Sequence, residues 1–402
     1  MTNSADLSRH DARRLARHYS RFRVGDRILL TGHSHQAWPD VAFDAQMQAW
    51  HDAAEQVDGK WDVAAAIADE VREGYRRLLD DPDGHIALGQ NTHELVTRFL
   101  SALPLRDRPR VVTTDGEFHT VRRQLARLQE EGLEVVQAGA TGSVPAPGAI
   151  AQAVIDALDD RTAAVVMSSV LFRNGLIVEG LDEVAKACEH VGACLLVDAY
   201  HSINVVPFSV FRMGLERAFV VGGGYKYCQF GEGVCFLRIP GDCSLRPILT
   251  GWFSEFGELA DNPAAGPVAY GHGPHRFAGS TYDPVGHYRA RAVLRFFQAE
   301  RLNPPLLRAI SRAQLARLTE GIDALDLDPA VLSWNRDLPL ERRGGFLALD
   351  APDAGELAAR LRSRHVFCDH RGTVLRLGPA PYVTNAQLDE AVDLLGEAVG
   401  QP

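Results

Sequence analysis

Apolar and polar residues alternate along the first two thirds of the chain in blocks that predict strands and helices in turn. Short apolar runs are typical of buried strands, and the stretches between them have the spacing of amphipathic helices. This order requires βαβ crossovers, so it predicts an α/β fold with a mainly parallel sheet of the seven-stranded type, covered by helices. The predicted strands are 110–113, 134–138, 163–168 and 194–197, and the predicted helices lie at about 91–103, 118–131, 148–158 and 180–191.

The same pattern divides the chain into three parts. Residues 1–40 are a polar arm with a short apolar stretch, and we expect them to contribute to the smaller domain and to the active site. Residues 41–285 form the predicted large domain, which ends in a Gly-, Pro- and aromatic-rich excursion at 241–285. From 286 to 402 helical and strand patterns follow one another again, and this part predicts a smaller α+β domain.

Composition narrows the classes of protein that the chain can belong to. It has 402 residues, of which 46% are hydrophobic and 23% charged, and its net charge is −10. The negative charge and the lack of a basic block argue against a nucleic-acid partner. No run approaches the roughly 18–20 apolar residues of a membrane span, and the N-terminus lacks the apolar core of a signal peptide. Six cysteines without paired spacing are typical of reduced thiols, so we expect a soluble cytoplasmic protein.

A lysine and an aspartate each follow an apolar strand. Lys226 lies in VVGGGYKYCQFGEG (220–233), after a strand at 218–221 and three glycines, and Asp198 ends the strand CLLVD. Parallel strand ends meet at one edge of a sheet, where open α/β sheets bind ligands. Pyridoxal 5'-phosphate needs an amine for an imine link and a carboxylate beside its pyridine nitrogen. The pair therefore predicts this cofactor, although a lone lysine is usually solvated and a lone aspartate often caps a helix or turn.

Three further residues near these strand ends, or in a later strand, are candidates for the site. His201 is placed to stack or hydrogen-bond near the cofactor, and a structural role is the alternative. Tyr225 precedes the lysine and suits a phosphate contact or a proton donor at the reacting carbon. Arg376 is a charged residue within the apolar strand VLRL. It suits bidentate binding of a substrate carboxylate, or else it lies on a strand edge that faces solvent.

Two other turns supply candidates for binding the cofactor. Thr92 and His93 begin an amphipathic helix, where free N–H groups favour an anion such as phosphate, and simple capping by Thr92 is compatible with this. Phe118 follows the strand that ends in TTDGEFHT. There it is placed to stack on a flat ring, and a role in the core is an equal alternative.

Four histidines and a cysteine are candidates for metal binding and for nucleophilic catalysis, respectively. His33 and His35, and His272 and His275, lack the carboxylate or cysteine partners of a metal site, so we predict no metal. Cys368 lies beside an aspartate, but no paired base is evident, and a strand-end thiol is the simpler interpretation.

Several segments together resemble kynureninase, within the class V aminotransferase group of fold-type I pyridoxal phosphate enzymes. They occur in the order of that family, from about residue 30 to the end of the chain. The motif set is specific as a combination, whereas each motif alone is weak. The segments are VDAYHS, GYKYCQFGEG, GWF at 251–253, RFAGST at 276–281 and CDHRGTVLRLGPAPY at 368–382.

The resemblance implies a role for each matched residue and a homodimer with active sites at the subunit interface. The catalytic residues would be Lys226, which carries the cofactor, and Tyr225. The substrate carboxylate would bind Arg376, and His33, His35 and Gly279 would lie toward the rest of the substrate. The implied cofactor contacts are Lys226, Asp198 at the pyridine nitrogen, His201, Phe118 on the ring, and Tyr225, Thr92, His93, Trp252 and Thr281 near the phosphate, with Trp252 and Thr281 reaching it from the partner subunit.

The segments that face the substrate depart from the family more than those that face the cofactor. The family pattern glycine–asparagine–serine–leucine–glycine is GHSHQ at 32–36, and glycine–lysine–arginine–proline is GKWD at 59–62. Gly279 stands where many kynureninases have an asparagine, and Val121 where an aspartate is common. The resemblance therefore implies use of the cofactor more strongly than it implies a particular substrate.

The leading functional hypothesis is hydrolysis of the Cβ–Cγ bond of L-kynurenine or a related amino acid, which yields alanine and an aromatic acid. The alternative is an enzyme of the same family that acts on another amino acid by elimination, cyclisation or transamination in a specialised biosynthetic pathway. A cysteine desulfurase would need Cys368 as a nucleophile over the cofactor. A catalytically silent binding or regulatory protein of this fold is disfavoured by the intact Lys226, Asp198 and Arg376.

Overall fold

The computed structural model describes residues 10–139, 144–255 and 266–400, and strands from three sheets run through this part of the chain. Residues 1–9 of the predicted arm, and 256–265 of the predicted excursion, lie outside the described residues. In chain order the strands are β1 (Ile28–Leu29), β2 (His85–Gly89), β3 (Arg110–Thr113), β4 (Glu134–Gln137), β5 (Thr162–Ser168), β6 (Cys194–Asp198), β7 (Phe219–Gly223), β8 (Cys235–Ile239), β9 (Ser333–Trp334), β10 (Leu347–Asp350), β11 (Val366–Phe367), β12 (Asp369–Arg371) and β13 (Val374–Leu377).

The helices cover the sheets and fall close to their predicted positions. The helix predicted at 118–131, for example, runs from His119 to Glu130, and buries Val121 and Leu125. In chain order the helices are α1 (Ala12–Ala16), α2 (Asp40–Gln56), α3 (Lys60–Leu78), α4 (Thr92–Ala102), α5 (His119–Glu130), α6 (Ala149–Asp156), α7 (Leu181–Val191), α8 (Val285–Ala299), α9 (Pro304–Ala324), α10 (Ala354–Ser363) and α11 (Asn385–Gly400).

The largest sheet has seven strands in the order β2-β8-β7-β6-β5-β3-β4. The five strands from β7 to β4 are parallel, which confirms the predicted α/β fold, and β8 runs antiparallel to both of its neighbours. Strands β5 and β7 are buried along their whole length, as expected for a sheet covered on both faces. The apolar pattern did not predict β8. Its apolar run contains Arg238, which is buried and whose Nε donates to Asp81 at 2.7 Å.

A four-stranded antiparallel sheet, in the order β12-β13-β10-β9, forms the core of the C-terminal part of the chain. A separate two-stranded parallel pair joins β1, near the N-terminus, to β11. Leu30 continues this contact, since its N–H donates to the Phe367 carbonyl at 2.8 Å. The N-terminal residues are thus held against the C-terminal part of the chain. The domain boundaries at 40 and 285 stay predictions.

No helix within 10–139, 144–255 or 266–400 is long and apolar enough to cross a membrane.

Candidate functional site

The register of the large sheet sets three strand ends side by side. Ser168 at the end of β5 is paired with Asp198 at the end of β6, and Asp198 is in turn paired with Val221 in β7. Parallel strands place these ends at one edge, which is where open α/β sheets bind ligands. The turn after β7 then carries Lys226 across the same edge.

The glycines before Lys226 allow close packing rather than an unusual backbone. None of Gly222, Gly223 and Gly224 has a positive φ. A Cβ atom on Gly223 would collide with the Tyr200 hydroxyl and the Cys235 sulfur, so only glycine fits there. The positive φ values of this segment fall after the lysine, at Gln229, Gly231 and Gly233 (61°, 74° and 83°).

Lys226 is buried, with 6% of its surface exposed, and aromatic rings surround its amine. Its Nζ lies 2.8 Å from His201 Nε2, 4.6 Å from the centre of the Tyr200 ring and 5.6 Å from that of Phe118. Burial lowers the pKa of Lys226 to about 7, although the charge of Asp198 opposes this change. The amine therefore changes protonation state near neutral pH, which suits both imine formation and proton transfer.

Asp198 is a buried carboxylate whose position is fixed by the backbone. Its Oδ1 accepts a hydrogen bond from the Tyr200 N–H at 2.8 Å. Burial raises the pKa of Asp198, whereas the Tyr200 hydrogen bond and the charge of Lys226 lower it. Buried carboxylates need a cationic or hydrogen-bonding partner, so the site favours a protonated nitrogen beside this residue.

An open cavity of about 450 Å³, including the solvent in its mouth, lies at this edge of the sheet. It brings together six of the predicted residues, which are Thr92, Phe118, Asp198, His201, Tyr225 and Lys226. Thr92 is the first residue of α4, whose preceding Asn91 accepts the Glu94 N–H at 2.9 Å. The other lining residues are Val96, Thr120, Val121, Ser168, Val170, Phe172 and Tyr200.

Seven predicted residues do not line this cavity, and four of them are His93, Trp252, Thr281 and Gly279. His93 is exposed on the first turn of α4. Trp252 is 44% exposed, and its Nε1 donates to Thr281 Oγ1 at 3.3 Å. Gly279 belongs to the same cluster, because its carbonyl accepts the Phe253 N–H at 3.1 Å. The idea that Trp252 and Thr281 reach the site of a partner subunit stays a prediction.

Arg376 is buried in the inner strand β13, so the alternative of a strand edge facing solvent is wrong. Its side chain is 1% exposed, and its Nε and Nη2 donate to the two carboxylate oxygens of Asp369 at 2.9 and 2.5 Å. His33 Nε2 lies 2.7 Å from the same carboxylate. The His35 ring is instead stacked on Tyr225, with 4.9 Å between ring centres.

Sequence reasoning missed Glu117, a second buried carboxyl group beside the cavity. It accepts hydrogen bonds from the Ser168 hydroxyl at 2.6 Å, the Ser168 N–H at 3.0 Å and the Thr114 hydroxyl at 2.7 Å. Burial raises its pKa to about 7, and the charge of Asp198 adds to this effect. An acidic residue four positions after the end of β3 was the available signal, and the neighbouring Phe118 was considered instead.

The donor set fits one kind of cofactor. A buried amine faces a buried carboxylate, Phe118 supplies a flat ring, and Thr92 and Thr120 offer hydroxyls beside a helix N-terminus that favours anions. This is what a planar pyridine ring with an aldehyde and a phosphate requires. The fold and the site thus define a fold-type I enzyme that uses pyridoxal 5'-phosphate.

The chain belongs to the class-V aminotransferase family, whose model matches residues 45–328. A second family model, the kynureninase C-terminal domain, matches residues 307–395.

Curated relatives and solved structures agree with this family. The chain is 27% identical over 382 residues to kynureninase of Burkholderia pseudomallei strain 1106a, covering 89% of this chain and 85% of that protein. It is 22% identical over 354 residues to the uncharacterized aminotransferase YcbU of Bacillus subtilis, covering 86% and 88%. The cysteine desulfurase of Thermococcus onnurineus NA1 is similar in fold, with a TM-score of 0.77, 18% identity and coverage of 94% and 95%.

Proposed function

We propose that this protein is a kynureninase-like hydrolase that cleaves the Cβ–Cγ bond of L-kynurenine or a related amino acid. Water is consumed, and the products are alanine and an aromatic acid. The observation that carries the proposal is the pairing of the Lys226–Asp198 site with a C-terminal part that matches the kynureninase model and contains Arg376. We further propose that the protein works as a homodimer in the cytoplasm.

The residues around the cavity divide the chemistry among them. The bound cofactor supplies an electron sink that stabilises negative charge at the substrate α-carbon. Lys226, with its pKa near 7, is suited to take a proton from that carbon and to return one. Burial raises the pKa of Tyr225 to about 12, so its phenol stays protonated and can donate a proton to the substrate β-carbon once the Cβ–Cγ bond is cleaved. Asp198 would keep the pyridine nitrogen of the bound cofactor protonated.

The uptake of the cofactor should depend on pH through Lys226. A free amine is the nucleophile, and the pKa of Lys226 is lowered to about 7. Below that pH the binding rate should rise about tenfold per pH unit, because the unprotonated fraction does so, and above it the rate should level off. Stopped-flow absorbance on the cofactor-free protein measures this. A small lysine derivative in solution is the control, and its rate should keep rising toward pH 10; a protein rate that also climbed steeply beyond pH 9 would contradict the expectation.

A cysteine desulfurase is the second candidate, since one of the similar structures is such an enzyme. That chemistry needs a thiolate that can reach the substrate. None of the six cysteines lies among the residues that line the cavity, and Cys368 is buried. Burial raises the pKa of Cys368 to about 12, so the thiolate is scarce at neutral pH. The position of this thiol therefore favours the hydrolase.

Replacement of Cys368 by serine should leave turnover within about twofold of wild type, since the thiol has no role in the hydrolysis. Release of alanine from L-kynurenine and release of sulfide from L-cysteine are to be measured on both proteins. A loss of sulfide release in Cys368→Ser, from a wild type that releases it catalytically, would favour the desulfurase.

The proposal is tested by incubating the cofactor-loaded protein with L-kynurenine and 3-hydroxy-L-kynurenine and measuring both products by mass. Equal, catalytic release of alanine and of the matching anthranilate is expected. A change in the cofactor spectrum without alanine would favour the alternative, a family member that acts on another amino acid. His33 motivates that alternative, because it stands where the family has an asparagine and contacts Asp369 rather than the cavity.

A further inference from the structure

Arg376, the proposed ligand of the substrate carboxylate, already holds a carboxylate of the protein itself. Asp369 and Arg376 are directly opposite each other on the antiparallel strands β12 and β13. The guanidinium uses Nε and Nη2 to grip both oxygens of Asp369, which is the bidentate geometry that a free carboxylate would adopt. A substrate that seeks the same edge of Arg376 therefore meets an occupied position.

Phe172 contacts both the Arg376 guanidinium and the cavity. Its ring lies 4.7 Å from the Arg376 guanidinium carbon, and its carbonyl accepts the Arg376 Nη1 hydrogen bond at 3.0 Å. The same residue lines the cavity, where its ring meets the edge of Phe118 at 5.0 Å between centres. Arg376 itself is not among the lining residues. These contacts therefore link the guanidinium to the cavity through Phe172.

Asp369 has a second close partner that would still bind it after it leaves Arg376. His33 Nε2 lies 2.7 Å from its Oδ1, whereas Arg371 Nη2 lies 3.4 Å from its Oδ2 and is half exposed. Strand β12 is the edge strand of its sheet, whereas β13 is paired on both sides. The Asp369 side chain is 17% exposed against 1% for Arg376. Asp369 is therefore the partner that can yield, and Arg376 keeps a counter-charge before and after the exchange.

We propose that Asp369 occupies the guanidinium of Arg376 in the substrate-free enzyme, and that the carboxylate of the amino acid substrate replaces it. This inference rests on the proposed function in that it takes an amino acid as the substrate. The exchange would select ligands that carry a carboxylate. A ligand without one cannot displace Asp369, because burying Arg376 without a negative partner is costly. After the exchange, the Asp369 carboxylate stays bonded to His33. The histidine at position 33, where the family has an asparagine, is therefore a positioning residue.

The test is the binding of two amines that differ only in their carboxyl group. L-Alanine and L-alaninamide are titrated into the cofactor-loaded wild type and Asp369→Asn, and the cofactor absorbance gives the apparent Kd. The asparagine keeps the shape of the side chain but removes its charge, so it competes poorly with the L-alanine carboxylate for Arg376. L-Alanine should bind about tenfold more tightly to Asp369→Asn, and the Kd of L-alaninamide should be unchanged.

Two further variants keep the test sharp. Arg371→Gln removes the other arginine beside Asp369, and it should leave both Kd values within about twofold because that contact is long and half exposed. Adding Arg376→Gln to Asp369→Asn should abolish the gain for L-alanine. Unchanged or weaker L-alanine binding in folded Asp369→Asn, or no binding of L-alanine to wild type, would overturn the exchange. Turnover is not needed, so failure to hydrolyse L-kynurenine would count against the proposed function alone.

Discussion

Lys226→Ala is expected to lower turnover by about 10³- to 10⁴-fold, the upper range of what a positioned proton-transfer group contributes. The change removes the amine that carries the cofactor, and the methyl side chain of alanine cannot transfer a proton in its place. The visible absorbance of the cofactor-loaded protein should disappear as well. Spectra and steady-state rates, measured on protein of matched folding by circular dichroism, test both statements.

The lysines of the chain offer a direct control, since they are Lys60, Lys186 and Lys226. Lys186 is 73% exposed and pairs with Asp182 on the surface of α7, so Lys186→Ala should retain full activity and colour. Borohydride reduction followed by peptide mass mapping should place the cofactor on the Lys226 peptide. Label on Lys60 or Lys186 in the wild type would refute the assignment.

The second large effect is expected for Asp198→Asn. Asparagine can still accept the Tyr200 N–H, so the local fold is kept, but the negative charge beside the pyridine nitrogen is lost. Breaking a buried charge pair costs ~3–5 kcal/mol, so turnover should fall about 10²- to 10⁴-fold. The affinity for the cofactor should fall too. Equilibrium dialysis and single-turnover rates separate the two effects.

A surface carboxylate serves as the comparison for Asp198. Asp182 is 46% exposed and bonded to Lys186, and Asp182→Asn should change neither binding nor rate by more than about twofold. A fully active Asp198→Asn would mean that another group holds the pyridine nitrogen. Glu117 would be the first to examine, because it is buried one strand away.

Local patterns predicted the part of the fold that depends on local signals. The apolar residues of the strands at 110–113 and 194–198, and of the helices between them, are regularly spaced. Tertiary packing favours the same secondary structure as this local spacing. The gathering of Asp198 and Lys226 at one edge could also be foreseen, because parallel strands align their carboxyl ends. Strand β8 could not, since a buried Arg238 weakens its apolar pattern and its ion pair with Asp81 spans distant residues.

Long-range contacts account for the rest of the site. The sequence marked Arg376 and His33 as candidates, but nothing local shows that both would meet Asp369. Likewise, the burial of Glu117 depends on Ser168 from another strand. Such pairs are set by tertiary packing, and one sequence without related sequences carries no signal for them.

The pairing of β1 with β11 also bears on when the enzyme can form during synthesis. Ile28 pairs with Val366, and His33 contacts Asp369, so β1 cannot dock until residues 366–369 have left the ribosome. Closing so long a loop is entropically costly and slow. The large sheet, by contrast, is built from residues 85–239 and can form earlier. The nascent chain should therefore hold a folded cofactor platform before β1 and the turn after it dock against β11 and β12.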